Sequence, residues 1–162
     1  MSHWIYIICV WIHILAACAW IGGSLFLAFV LIPLIKTPEL EKIYPVLLQK
    51  TGKRFRILGW VSLGILIITG IIQIYFRGYS LSFMQTSLGK VLQLKLTLVA
   101  AILILTLLHD LWIGGKAVEM AKTDPNSKEA GKFRSLAKWM GRLNLIFGVF
   151  VVLLAVILVR GI

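Results

Sequence analysis

Cys9 and His13 are the first side chains in this sequence whose types and spacing could do chemistry. They lie four residues apart inside the first long apolar run. Positions i and i+4 share one helix face, so a thiol sulfur and an imidazole nitrogen stand together. Soft sulfur with imidazole suits Cu(I). A neutral imidazole is equally a haem axial ligand. An imidazole in hydrocarbon needs a polar partner, and an ionisable group at that depth is a functional-site candidate by default. His3, near the amino terminus, adds an imidazole that could chelate copper with a terminal amine and hand it inward. Met84, in a short outer loop, could do the same.

Lys95, His109 and Asp110 are titratable groups inside the third apolar run. At 1.5 Å per residue, His13 lies about 13 Å below the outer surface and Lys95 about 10 Å below it. Both therefore belong to the outer half of the membrane. His109 falls about 21 Å further toward the cytoplasm and cannot share one small ion with His13. Asp110 beside it could pair with Arg54, Arg56 or Lys116. If the ligand is b-type haem, His13 is the axial residue and Lys95 is a second ligand or a propionate partner. Trp20 then flanks the ligand, Gly22 and Gly23 let a large flat ligand approach the backbone, and His109 would serve a second haem. If the ligand is copper, the donors are His13, Cys9 and His3.

These residues must be positioned by membrane helices. The chain has 162 residues, is 60% hydrophobic and has a mean hydropathy of +0.96. Apolar runs of this length are long enough to span a bilayer. The net charge of +11 sits mostly in two loops and is not interleaved with aromatics, which argues against nucleic-acid binding. Such loops face anionic lipid headgroups instead. Cys9 and Cys18 fall on opposite faces of one helix and cannot bridge to each other there. No Lys or Arg precedes the first run, and it continues apolar to Leu31, so a retained span is expected rather than a cleaved signal. No Ser/His/Asp set, phosphate loop or carboxylate pair lies in the apolar regions, which argues against a soluble-type enzyme.

The expected architecture is an all-α integral membrane protein, an antiparallel up-down four-helix bundle forming one domain over 1–162. The spans are expected near 4–35, 57–76, 88–113 and 140–159. Basic loops cover 36–56, where Pro38 and Pro45 act as breaks, and 114–139, where Asp124-Pro125-Asn126-Ser127 signals a turn. The helices on both sides of that turn are expected to extend beyond the membrane. The positive-inside rule puts both basic loops in the cytoplasm and both termini outside, in a cell inner membrane.

Lipid surrounds the bundle, so small and polar residues mark its interior. The inward stripes read Cys9, His13, Ala16, Trp20 and Gly23 on the first span. On the second they read Gly59, Ser62, Leu66, Thr69, Gly70 and Gln73. On the third they are Lys95, Val99, Ile102, Thr106 and His109, and on the fourth Gly141, Asn144, Gly148, Val151 and Ala155. Single Gly, Ser and Thr residues at such spacing read first as packing glue between helices, Gly59, Gly70, Gly148 and Thr69 among them.

His13-x6-Trp20-x-Gly22-Gly23, followed by Phe26 and Pro33, resembles the first helix of the copper-resistance D (CopD) domain. Lys53-Arg54-Phe55 leading to Leu66-x2-Thr69-Gly70 resembles its next helix, and Gly89-Lys90-x4-Lys95-Leu96 its third. The resemblance implies an inner-membrane protein linked to copper uptake or tolerance, confined here to the four-helix part. His13, Trp20, Gly23 and Lys95-Leu96 are also similar to HemJ-type protoporphyrinogen oxidases, which implies haem or porphyrin binding through His13 and Lys95. Copper handling at a His13-centred site is the leading expectation. A haem protein with a redox or porphyrin-related role is the alternative. An accessory subunit bound to a larger membrane or periplasmic partner is a third reading.

Overall fold

The structure is a computed structural model that describes residues 2–35, 37–40, 43–123 and 127–161. Among the described residues it is all-helical, and four helices are long and apolar enough to cross a membrane: His3–Leu34, Val46–Arg77, Ser87–Lys116 and Lys128–Arg160. Trp4, Ile8, Ile68 and Val159 are among many large apolar side chains left exposed along them. An apolar outer surface of this extent is what a lipid solvent requires.

The chain divides into two compact units, Met1–Tyr79 and Ser80–Ile162. The first holds α1 (Ser2–Phe26), a π-helical turn (Leu27–Leu31), the short α2 (Ile32–Leu34) and the long α3 (Tyr44–Arg77). The π turn has a local cause. Pro33 has no N–H, and its ring would strike the carbonyl four residues back. The helix widens ahead of it, and the Ile32 N–H reaches the carbonyl of Leu27. α3 begins well before the expected span. Pro45 lies in its first turn, where a missing N–H costs nothing, so this proline starts the helix and does not break it. Much of the expected 36–56 loop is therefore helix. The α3 end is closed by Gly78 in the left-handed region (φ 59°), as a C-cap requires.

Contacts between α1 and α3 pair rising numbers with falling ones. The Tyr6 ring lies 6.0 Å from that of Phe76, and Arg77 Nε donates to the Tyr6 hydroxyl at 3.1 Å. Cys9 and His13 meet Thr69. Trp20 faces Gly59, and Phe55 fills the notch over Gly23, where an added Cβ would stand 2.6 Å from the ring.

The second unit holds α4 (Leu81–Met84), α5 (Ser87–Leu108), a second π turn (His109–Ile113), α6 (Gly114–Thr123) and α7 (Lys128–Arg160). Ser80, Thr86 and Ser127 cap α4, α5 and α7, each accepting a backbone N–H three residues on. Helix extends beyond the third and fourth apolar spans as expected. Asp124, Pro125 and Asn126 of the expected turn lie outside the described residues. Gly89 lets the start of α5 press on the α4 backbone, since a Cβ there would collide with the Phe83 carbonyl and Met84.

α5 packs on α7, and Leu92 and Ile102 on the first and Met140, Gly148 and Leu154 on the second are buried. Asn144 Nδ2 donates to Thr106 Oγ1 at 2.9 Å, while Asn144 Oδ1 is buried with no partner among the described residues. Interhelical hydrogen bonds in membranes average about 0.6 kcal/mol. Asn144→Leu removes that bond together with the orphaned acceptor. Its thermal unfolding midpoint in detergent is therefore expected to match a stability change below about 1 kcal/mol. Gly141 is exposed and does not join the expected inward stripe of the fourth span. Met140, four residues before Asn144 and eight before Gly148, is buried on that face instead.

Candidate functional site

The inward stripe of α1 is as its spacing predicts: Cys9, Ala16 and Trp20 are buried, and His13 and Gly23 are half-buried. On α3, Gly59, Ser62 and Thr69 are buried, and Leu66, Gly70 and Gln73 are half-buried. These faces meet at Thr69. Its backbone carbonyl accepts from the Cys9 thiol at 3.5 Å. Its hydroxyl lies 2.7 Å from His13 Nδ1.

The proton on that hydroxyl can be placed. Thr69 Oγ1 is 2.6 Å from the carbonyl oxygen of Ile65, one turn back on the same helix. A carbonyl only accepts, so the hydroxyl proton points at Ile65, the usual back-bond of a membrane-helix threonine. The oxygen then has only lone pairs to offer His13. Nδ1 must carry the ring proton and donate, and the lone pair of the neutral imidazole falls on Nε2. This is the arrangement in which a hydrogen bond at one ring nitrogen fixes a histidine to bind a metal through the other. Gly70 borders the ring edge: a Cβ there would stand 3.7 Å from His13 Cε1, an ordinary contact. One turn toward Arg77, Gln73 Nε2 is buried with no partner among the described residues.

His3 is exposed, ten residues from His13 and so about 15 Å away along α1. His3 does not join Cys9 and His13. Among the described residues, no group of three or more His, Cys, Asp or Glu could hold a metal ion. Around Thr69 the described residues place one imidazole, His13, and one thiol, Cys9. Both cysteines are free, Cys9 buried and Cys18 exposed, as their opposite faces require.

The remaining candidates belong to the second unit. Lys95 is half-buried on the α5 stripe that also carries buried Leu92 and Ile102 and half-buried Val99 and Thr106. His109 opens the second π turn, and its Nδ1 lies 3.1 Å from Asp110 Oδ1. The carboxylate is the more buried partner, its side chain 14% exposed against 35% for the imidazole.

Thr69 is the residue that sequence reasoning undervalued. Read alone, it is packing glue. Its signal is positional: a Thr-Gly pair on the inward stripe of the helix next to one carrying an inward histidine.

Four apolar helices carrying polar groups on their inner faces define a multi-pass membrane protein. A family model described as Copper resistance protein D matches residues 49–158. An uncharacterized protein of Aquifex aeolicus (strain VF5) is 34% identical over 146 residues, covering 90% of this chain and 89% of that one. No solved structure matches. This chain belongs to the copper resistance protein D (CopD) family. The family match begins inside α3, so it includes Thr69 and Lys95 and leaves Cys9 and His13 outside.

Proposed function

We propose that this CopD-family membrane protein handles copper as its cargo, at a two-donor station formed by His13 and Cys9 and positioned by Thr69. The observation that carries the reading is the back-bonded Thr69 hydroxyl, which commits His13 Nδ1 to donation and gives Nε2 the lone pair. Cys9 adds the soft donor that favours Cu(I). Its thiol must lose a proton on binding, so uptake is coupled to proton release. With only two donors the station suits passage of an ion rather than storage. His3 serves as an exposed first contact. The four spans cross the inner membrane alternately, with both termini outside and the basic segments 36–56 and 114–139 in the cytoplasm.

The visible spectrum and metal content of protein purified under copper- and haem-replete expression test this reading. Copper retained by wild type and lost in His13→Ala, with no Soret band, is the expected result. A Soret band that vanishes in His13→Ala would replace copper with haem. Neither signal would leave the accessory-subunit reading in its place.

Thr69 gives a finer test. Thr69→Val keeps the shape and removes the acceptor for His13 Nδ1. Cu(I) affinity is expected to fall about 10- to 100-fold, the range for lost outer-shell partners of metal-binding histidines. Thr69→Ser, which keeps the hydroxyl, is expected to stay close to wild type. Competitive titration against a Cu(I) chelator measures both.

A further inference from the structure

A groove of about 390 Å³ runs between α1 and α3, lined by Gly23, Phe26, Leu27, Thr51, Arg54, Phe55 and Leu58. Its volume is within the range of about 300–1,000 Å³ usual for small-molecule sites. The lining follows helix geometry. Gly23, Phe26 and Leu27 share one face of the first helix, at the junction with its π turn, and Thr51, Arg54, Phe55 and Leu58 share one face of α3. The walls are apolar, and Phe26 and Leu58 are substantially exposed, which opens the groove toward lipid.

Thr51 and Arg54 are the polar side chains of the lining. Thr51 and Arg54 lie one turn apart on α3, and Arg54 stands just ahead of the apolar run that begins at Ile57. Lys50, Lys53 and Arg56 flank it in sequence. A guanidinium beside an apolar trough is complementary to a lipid carrying an anionic phosphate headgroup. Basic pockets between membrane helices recognise such headgroups, and Arg holds a phosphate through paired N–H donors.

We infer that this groove holds one anionic phospholipid, with its phosphate on Arg54 and an acyl chain along the apolar lining. The site is distinct from the copper station: Gly23 is ten residues, about 15 Å, along the first helix from His13. The inference does not depend on what His13 binds.

Native mass spectrometry of the full chain tests this. The chain is released from detergent with equimolar phosphatidylglycerol and phosphatidylcholine of the same acyl chains. One retained phosphatidylglycerol is expected, in clear excess over phosphatidylcholine. Arg54→Gln is expected to lower its retention about tenfold, the worth of one charge-assisted hydrogen-bonded contact. Arg54 is exposed, so the substitution is expected to leave the fold intact. Lys53→Gln removes the same charge next door, outside the groove, and is expected to lose distinctly less. Leu27→Trp, which fills the trough, should lower retention of the chain whatever the headgroup. Glycerol phosphate without acyl chains should fail to displace the lipid.

Equal retention of the two lipids would overturn the inference. So would a loss in Lys53→Gln as large as in Arg54→Gln, which would reduce the effect to surface potential. Displacement by glycerol phosphate would do the same, by showing that the trough contributes nothing.

Discussion

Trp20→Ala is expected to be among the most destabilising single substitutions in the chain, lowering stability by about 3 kcal/mol. Trp20 is 6% exposed and packs across Gly59, where no side chain competes for the space. The size of the effect needs care, because lipid supplies apolar contacts that water does not. The transfer term that dominates in soluble cores is largely absent here. What remains is the cavity, at about 24 cal/mol per Å³, and an indole leaves a large one. Trp4 and Trp11 give the control. They are 69% and 60% exposed on the same helix, so their alanine variants should stay within about 0.5 kcal/mol of wild type. Thermal unfolding in one detergent compares all of them. Equal losses for the three would mean that α1 and α3 do not pack through Trp20.

His13→Ala carries the second large expectation. Cu(I) affinity should fall more than about 100-fold, beyond the outer-shell range expected for Thr69→Val. Cys9→Ala should show a comparable loss, because a two-donor station cannot lose either donor and still hold the ion. His3→Ala should leave equilibrium affinity nearly unchanged, since His3 is exposed and about 15 Å along the helix from the station. Its effect belongs in the rate of loading. Rapid mixing with a Cu(I) donor separates that rate from affinity. A His3 variant that loses affinity as strongly as His13→Ala would move the binding site to the amino terminus.

The sequence made parts of this molecule readable and hid others for physical reasons. Apolar runs long enough for a bilayer announce their own helices, because the backbone has no other way to satisfy itself in lipid. The inward stripe from Cys9 to Trp20 was legible because small and polar residues recur at helical spacing on an otherwise apolar cylinder. Helix limits were less legible. The segment 36–56 reads as a loop from its charges and prolines, yet α3 starts at Tyr44, since a proline in the first turn begins a helix as readily as it ends one. The two π turns leave only faint marks: Pro33 explains one, while that at His109–Ile113 has no proline to announce it. Thr69 was legible as an inward residue, but its hydrogen bonding was not. Its role depends on where a hydroxyl proton goes, which needs three atoms from two helices at once: Ile65 O, Thr69 Oγ1 and His13 Nδ1.

Copper K-edge X-ray absorption on the Cu(I)-loaded full chain reads the ligands at the His13–Cys9 station. One sulfur and one imidazole nitrogen in the copper shell are expected, with the sulfur lost in Cys9→Ala and the imidazole in His13→Ala. A shell of nitrogen and oxygen without sulfur, unaltered by either substitution, would contradict the two-donor station.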